Sequence, residues 1–280
     1  MYEFKKVIDI SPNIKLARDE EDQFLRILRK DQNYENANTK TYGDKQTYDG
    51  TEASLEKLKS QIELFKTNSQ ERYKPKSDRD KTNICDAPGF GSVRLVMPYE
   101  DPSFDFEYFE FISSLIDKED TVIDFGGGIG HFLIMLPECK KKILVEKNGV
   151  GDIVKEFGIQ YQDMNNNDLI GNVSFCIHTL EHSSNPESLL KMLSQSDISL
   201  VITPREELID TSINHYIYMQ EEIFKKQFEK LGTIAYMRTS KNHPLDIHII
   251  MINPKAINKF NKIKDNEFFK KNFTLYTNWY

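Results

Sequence analysis

The stretch Thr121-Val-Ile-Asp-Phe-Gly-Gly-Gly-Ile-Gly130 constrains what this chain can fold into more than any other. A short β-branched and aromatic run, Thr121 to Phe125, follows the charged stop Asp117 to Asp120, the pattern of a buried parallel strand. The glycines after it read as a strand-to-helix turn leading into the apolar His131 to Leu136. Glycine is needed where the backbone takes positive φ or comes within contact of a ligand, and a helix starting there aims free N–H groups into the turn.

Spacing separates the two ligand classes that use such a turn. A dinucleotide fingerprint needs a third small residue where His131 stands, so that template fails. What stands here, Asp124-x-Gly126-x-Gly128-x-Gly130, resembles the first motif of the class I S-adenosylmethionine-dependent methyltransferases. The resemblance implies S-adenosyl-L-methionine as cofactor, held by Asp124, Gly126, Gly127, Gly128 and Gly130. Glu146, just past the second strand and about 20 residues after the glycines, is placed to accept two hydrogen bonds from ribose hydroxyls. The plainer alternative is a solvated carboxylate beside Lys147. Asp163 or Met164 is expected beside the adenine, with Asp163 taking the exocyclic amine.

A second resemblance lies in Val173 to Pro186, where Leu180-Glu181-His182 is followed by a short turn and Asn185-Pro186. It is similar to the segment after the fourth strand of small-molecule methyltransferases. The two resemblances together span roughly 105 to 253. Methyl transfer from a sulfonium is an in-line displacement helped mainly by near-attack geometry in a water-poor pocket. An alcohol acceptor must lose a proton, and a histidine suits that task. His182 is the first candidate for base or acceptor-positioning group and His178, which also borders the cofactor, the second; Glu181 stands between them, and His215 competes. Each histidine also reads as a packing or capping residue. His178, Glu181 and His182 could alternatively hold a divalent metal, as in family members with an acid at position 178; the histidine there speaks against it, and no metal is assigned. Arg205, after the fifth strand, is a candidate clamp for a phosphate or carboxylate on the acceptor, or a surface ion pair.

The remaining chain sets the frame. Residues 1–102 carry two runs of helical spacing, Asp19 to Lys30 and Thr51 to Lys66, joined by a polar, tyrosine-containing segment 31–50 that reads as a loop or an acceptor lid. Gln70 to Asn83 looks like a connector, and Ala87 to Gly91 a turn followed by an extended segment. Ser103 to Lys118 predicts a helix, and strands and helices then alternate: strands at 142–146, 159–163, 173–178, 198–203, 233–238 and 247–252, helices at 149–157, 186–194 and 219–231. The expected fold is α/β, a doubly wound, mostly parallel seven-stranded Rossmann-like methyltransferase sheet at 103–253. A mainly helical extension at 1–102 serves acceptor recognition, and a basic aromatic tail at 254–280 docks on the body or on a second subunit.

With 280 residues, a net charge of −7 and 29% charged residues, the chain is no general binder of nucleic acid, which needs a clustered basic excess. Cys85, Cys139 and Cys176 form neither a disulfide framework nor a zinc-thiolate pattern. Neither a signal-peptide pattern nor an apolar run of spanning length is evident, so a cytoplasmic protein is expected. The reading is an O-methyltransferase acting on a small or sugar-linked acceptor, such as a bacterial surface-polysaccharide precursor. The competing class is a catalytically silent, cofactor-binding partner or regulatory protein.

Overall fold

A computed structural model of the chain describes residues 6–11, 13–19, 23–29, 84–87, 91–94, 106–128, 130–146, 154–163, 169–204, 215–239 and 246–276. The chain divides into two compact units, one of residues 1–41 and 168–280, the other of residues 42–167. The lid segment 31–50, the second N-terminal helix at 51–66, the connector 70–83 and Arg205 lie outside the described residues.

The chain opens with strands β1 (Lys6–Ser11), β2 (Ile14–Arg18) and β3 (Leu25–Arg29), where helical spacing predicts a helix over 19–30. That expectation is corrected. Four apolar residues in five suit either period, and pairing with neighbours settles it: Leu25 and Ile27 are buried while the alternate residues Arg26 and Leu28 are only half-buried. Leu16, Leu25 and Ile27 pack as a small core with Ile8, Ile14 and Tyr218 against it.

In the second unit, β4 (Ile84–Ala87) and β5 (Gly91–Arg94) pair antiparallel with Ala87 opposite Gly91; β5 falls in the extended segment expected there, while β4 is not among the expected strands. Helix α1 (Phe106–Ser114) buries Tyr108, Phe109, Phe111 and Ile112. It leads to β6 (Thr121–Phe125), helix α2 (His131–Met135), β7 (Lys141–Glu146) and β8 (Gln160–Asp163). Of the helix expected over 149–157, the described end is a tight turn in which Phe157 and Ile159 N–H groups both donate to Val154 O.

The first unit resumes with β9 (Val173–Ile177), a single 3-10 turn (Leu180–His182), α3 (Pro186–Leu193) and β10 (Ile198–Pro204). Then follow β11 (Ile217–Tyr218), α4 (Glu221–Leu231), β12 (Ile234–Thr239) and β13 (Asp246–Ile252). The tail adds α5 (Ile257–Lys264), α6 (Glu267–Asn272) and β14 (Thr274–Leu275). Asn185 caps α3, accepting from Ser188 N–H at 3.1 Å with Pro186 at the first helical position, and Gly232 ends α4.

Each unit carries its own run of paired strands. The second unit supplies β6, β7 and β8, parallel and in that order; the first supplies β9 parallel to β10, then β13, β12 and β14 in antiparallel succession. All seven residues of β10 and of β13 are buried, so both faces of these strands are covered, with Ser199, Thr203, Asp246 and His248 as buried polar positions among apolar ones. Within the first unit β12 and β13 form an antiparallel pair, and β14 pairs with β12 beyond it. The tail docks because its apolar side chains find cover: Phe269, Phe273 and Tyr276 are buried, and the Arg238 guanidinium lies 5.3 Å from the Phe268 ring centroid. A separate four-stranded sheet of the first unit runs β1-β2-β3-β11.

Candidate functional site

The second unit gathers seven of the residues expected to hold the cofactor at or just past the carboxyl ends of three adjacent parallel strands. Asp124 stands near the end of β6, Glu146 ends β7 and Asp163 ends β8, with Glu146 and Asp163 as register partners. The glycines follow β6 directly. Gly128 has φ 58°, a left-handed conformation that side chains with a Cβ adopt at a cost. Gly127 is constrained by space, since a Cβ there would lie 2.1 Å from Asp124 Oδ2 and 2.8 Å from Leu144 Cδ1. The turn is closed by backbone bonds from Gly126 N–H to Val145 O (2.7 Å) and from Gly130 N–H to Gly127 O (2.9 Å).

Asp124 is only 1% exposed, and neither carboxylate oxygen has a hydrogen-bond partner among the described residues. Burial, with the nearby Glu146 charge adding to it, pushes its pKa up to about 8. A cationic ligand would draw the carboxyl proton off and pair with the carboxylate, offsetting the cost of burying its charge. Glu146 is half-buried, and its Oε2 accepts from Gly128 N–H at 3.1 Å. Its carbonyl accepts from the Tyr161 hydroxyl at 2.9 Å, and the Tyr161 pKa is raised by burial and by the Asp163 and Glu146 charges. Tyr161 went unnoticed in the sequence; its signal is an aromatic residue two positions before Asp163, on the same face of β8.

The nucleoside that the sequence resemblance implies fits this arrangement. Its methionine ammonium and sulfonium are cationic, both buried oxygens of Asp124 are unsatisfied among the described residues, and the Asp124 carboxylate reaches the turn because Gly127 has no Cβ. Glu146, an acceptor-only carboxylate already tied to the turn through Gly128 N–H, is of the residue type suited to ribose hydroxyls.

The first unit holds the histidines. His178, just past β9, has φ 48°, the one non-glycine residue with positive φ among the described residues. Its N–H donates to Ile202 O at 2.9 Å, and its ring lies between two buried carboxylates: Nδ1 is 3.5 Å from Glu181 Oε1 and Nε2 is 3.6 Å from Asp246 Oδ2. Glu181 is 1% exposed and also accepts from Thr203 Oγ1 at 3.2 Å. Burial pushes the Glu181 carboxyl up, but the His178 contact and the His178 and His182 charges outweigh it, and its pKa falls below the ordinary value.

His182 turns the other way. Its ring meets that of His215 edge to face, with centroids 5.0 Å apart. Glu181, His182 and His215 each offer one donor atom, all within 4.8 Å of one another. His215 arrives there because Tyr216 is tied on both sides, its N–H donating to Glu181 O (2.9 Å) and its carbonyl accepting from Ile27 N–H (2.7 Å). Thr203 and Asp246 escaped the sequence reading. The available signal was a polar residue at the end of one apolar strand and an acid opening another.

No protein-family model and no curated protein sequence matches the chain. Among solved structures it is similar to magnesium protoporphyrin IX methyltransferase from Synechocystis, solved with bound S-adenosylhomocysteine, at 12% identity and TM-score 0.44 over 70% of this chain and 99% of that one. A SAM-dependent methyltransferase from Aquifex aeolicus is similar at 18% identity and TM-score 0.43, covering 56% and 94% of the two chains. The cyclase SpnF is similar at 10% identity and TM-score 0.43, covering 53% and 81%. At these values the functional reading rests on the chain's own residues.

Proposed function

We propose that the chain is an S-adenosylmethionine-dependent O-methyltransferase acting on a small or sugar-linked hydroxyl acceptor, such as a surface-polysaccharide precursor in the cytoplasm. The observation that carries the reading is Asp124, buried with two unsatisfied oxygens beside a Cβ-free glycine turn, with Glu146 tethered to that turn. Asp124, Gly126, Gly127, Gly128 and Gly130 would hold the methionine end, Glu146 the ribose and Asp163 the adenine. When bound, the cofactor supplies an electrophilic methyl group.

The chain's own contribution is binding, orientation and the fate of the acceptor proton. Glu181, His182 and His215 form the acceptor-side group, which positions the nucleophilic oxygen and eases loss of its proton. His178 holds Glu181 in place. Arg205 would clamp a phosphate or carboxylate on the acceptor, and residues 1–102 would shape its recognition.

Calorimetry with S-adenosylhomocysteine, followed by incubation of the full chain with methyl-labelled S-adenosylmethionine and a panel of nucleotide-linked sugars, tests this. Saturable heat and label on an acceptor oxygen are expected. Absence of heat for both the nucleoside and its demethylated product sinks the reading.

A further inference from the structure

We infer that Glu181, His182 and His215 form a binding site for a single divalent transition-metal ion. Two imidazoles and one carboxylate are a donor set suited to zinc, cobalt or manganese rather than to calcium or magnesium, which prefer all-oxygen shells. The sequence by itself groups His178 with Glu181 and His182. The structure exchanges His178 for His215, because the two ring nitrogens of His178 point at Glu181 and Asp246.

The geometry is close to what an ion needs. Donor atoms lie within 4.8 Å of one another. A tetrahedral ion about 2.1 Å from each donor sets them roughly 3.4 Å apart, a closure of at most about 1.4 Å that rotation of two half-buried imidazoles supplies. The carboxylate needs no search, since the Thr203 hydroxyl and the His178 ring already fix it. His215 is held by the two backbone bonds of Tyr216, one of them to the carbonyl of Glu181 itself. The N-terminal strands thereby acquire a role: β3 anchors, through Ile27 N–H, the segment that delivers the third donor.

Asp246 and His178 complete the arrangement as an outer shell. A ligating carboxylate is oriented by its own partners, and losing such a partner costs metal affinity without removing the site. Three protein donors leave at least one position for water or an acceptor oxygen, whose proton the ion would acidify. That last role rests on the methyl-transfer reading; the binding of the ion does not.

The test uses the full chain, stripped with chelator, dialysed and titrated with Co2+ by visible absorption and with Zn2+ by calorimetry. One equivalent of each is expected, with d–d bands of a nitrogen and oxygen site and a raised unfolding temperature. His215→Ala and, independently, His182→Ala should abolish the bands and the shift; His178→Asn should weaken binding about tenfold. Cys139→Ser, which removes a partly exposed thiol outside the site, should change nothing. Absence of saturable binding of either ion overturns the site, as does stoichiometric binding that survives in both histidine variants. Binding of S-adenosylhomocysteine, measured on the same samples, reports separately on the methyl-transfer reading: metal lost with nucleoside retained counts against the metal site alone.

Discussion

The Glu146 carboxylate accepts a hydrogen bond from the Gly128 N–H at 3.1 Å, so the acid that ends β7 is tied to the glycine turn that follows β6. One side chain thus stiffens the turn and, in the proposed function, also meets the ligand's ribose. Removing it should loosen both, and the two effects differ in size.

Glu146→Ala is expected to weaken S-adenosylhomocysteine binding by about tenfold or more, the scale of a hydrogen bond to a charged group, while stability falls by only about 1 kcal/mol. Calorimetry against urea unfolding separates the two. Full affinity in this variant would remove the ribose assignment.

The two central glycines of the turn should fail for different reasons. In Gly127→Ala the new methyl meets Asp124 Oδ2 at 2.1 Å, an overpacking expected to cost about 1–3 kcal/mol and to displace the carboxylate. At Gly128 nothing lies within 4 Å of the added Cβ, but φ of +58° makes Gly128→Ala cost about 1–2 kcal/mol through the backbone alone. Nucleoside affinity should suffer much more in the first variant. Equal losses would mean that space beside Asp124 is not what the ligand uses.

Asp124 gives the fold a pH dependence. Its carboxyl titrates near 3.8 unfolded and near 8 folded, so between these values the folded chain holds a proton that the unfolded chain has lost. Its contribution to stability is therefore fully present below about 3.8, falls as pH rises through the window and levels off above about 8. Asp124→Asn should flatten this component in urea unfolding measured from pH 5 to 9. A cationic ligand should draw the proton off, seen as a buffer-dependent heat of binding; no buffer dependence near neutral pH would contradict the raised pKa.

Thr203→Val removes the hydroxyl that donates to buried Glu181 and keeps the side-chain shape. A lost bond to a buried charged group should cost about 1.5–3 kcal/mol in urea unfolding. A change within measurement error would mean Glu181 is satisfied by its remaining partners.

Tyr276→Phe tests the docked tail. The hydroxyl donates to Glu221 O, and the ring packs 6.1 Å, centroid to centroid, from that of Phe228. Loss of the bond alone should cost about 0.5–1.5 kcal/mol. An unchanged midpoint would show that ring burial, retained in Phe, holds the tail.

Much of the sheet was legible because its signals are local. Five residues from Thr121 to Phe125 closing on glycines, seven buried positions in β10 and a glycine just past α4 each declare an element within a short window. The turn was legible for a related reason: left-handed backbone and missing Cβ space restrict residue type one position at a time. The strand at 25–29 was not, since Leu25, Ile27 and Leu28 satisfy a helical face and a strand face alike until β2 and β11 pair with it.

What the sequence by itself determined is the α/β alternation, the glycine turn, and the acids that end β7 and β8. Tertiary structure alone decided how the histidines sort. His178 and His182 look equivalent around Glu181 in the chain, yet His178 is taken up by Asp246 from 68 positions on, and His182 meets His215 from 33 positions on. Carboxylate and imidazole partners are chosen by proximity across strands, and no residue pattern encodes a distance between segments that only folding brings together.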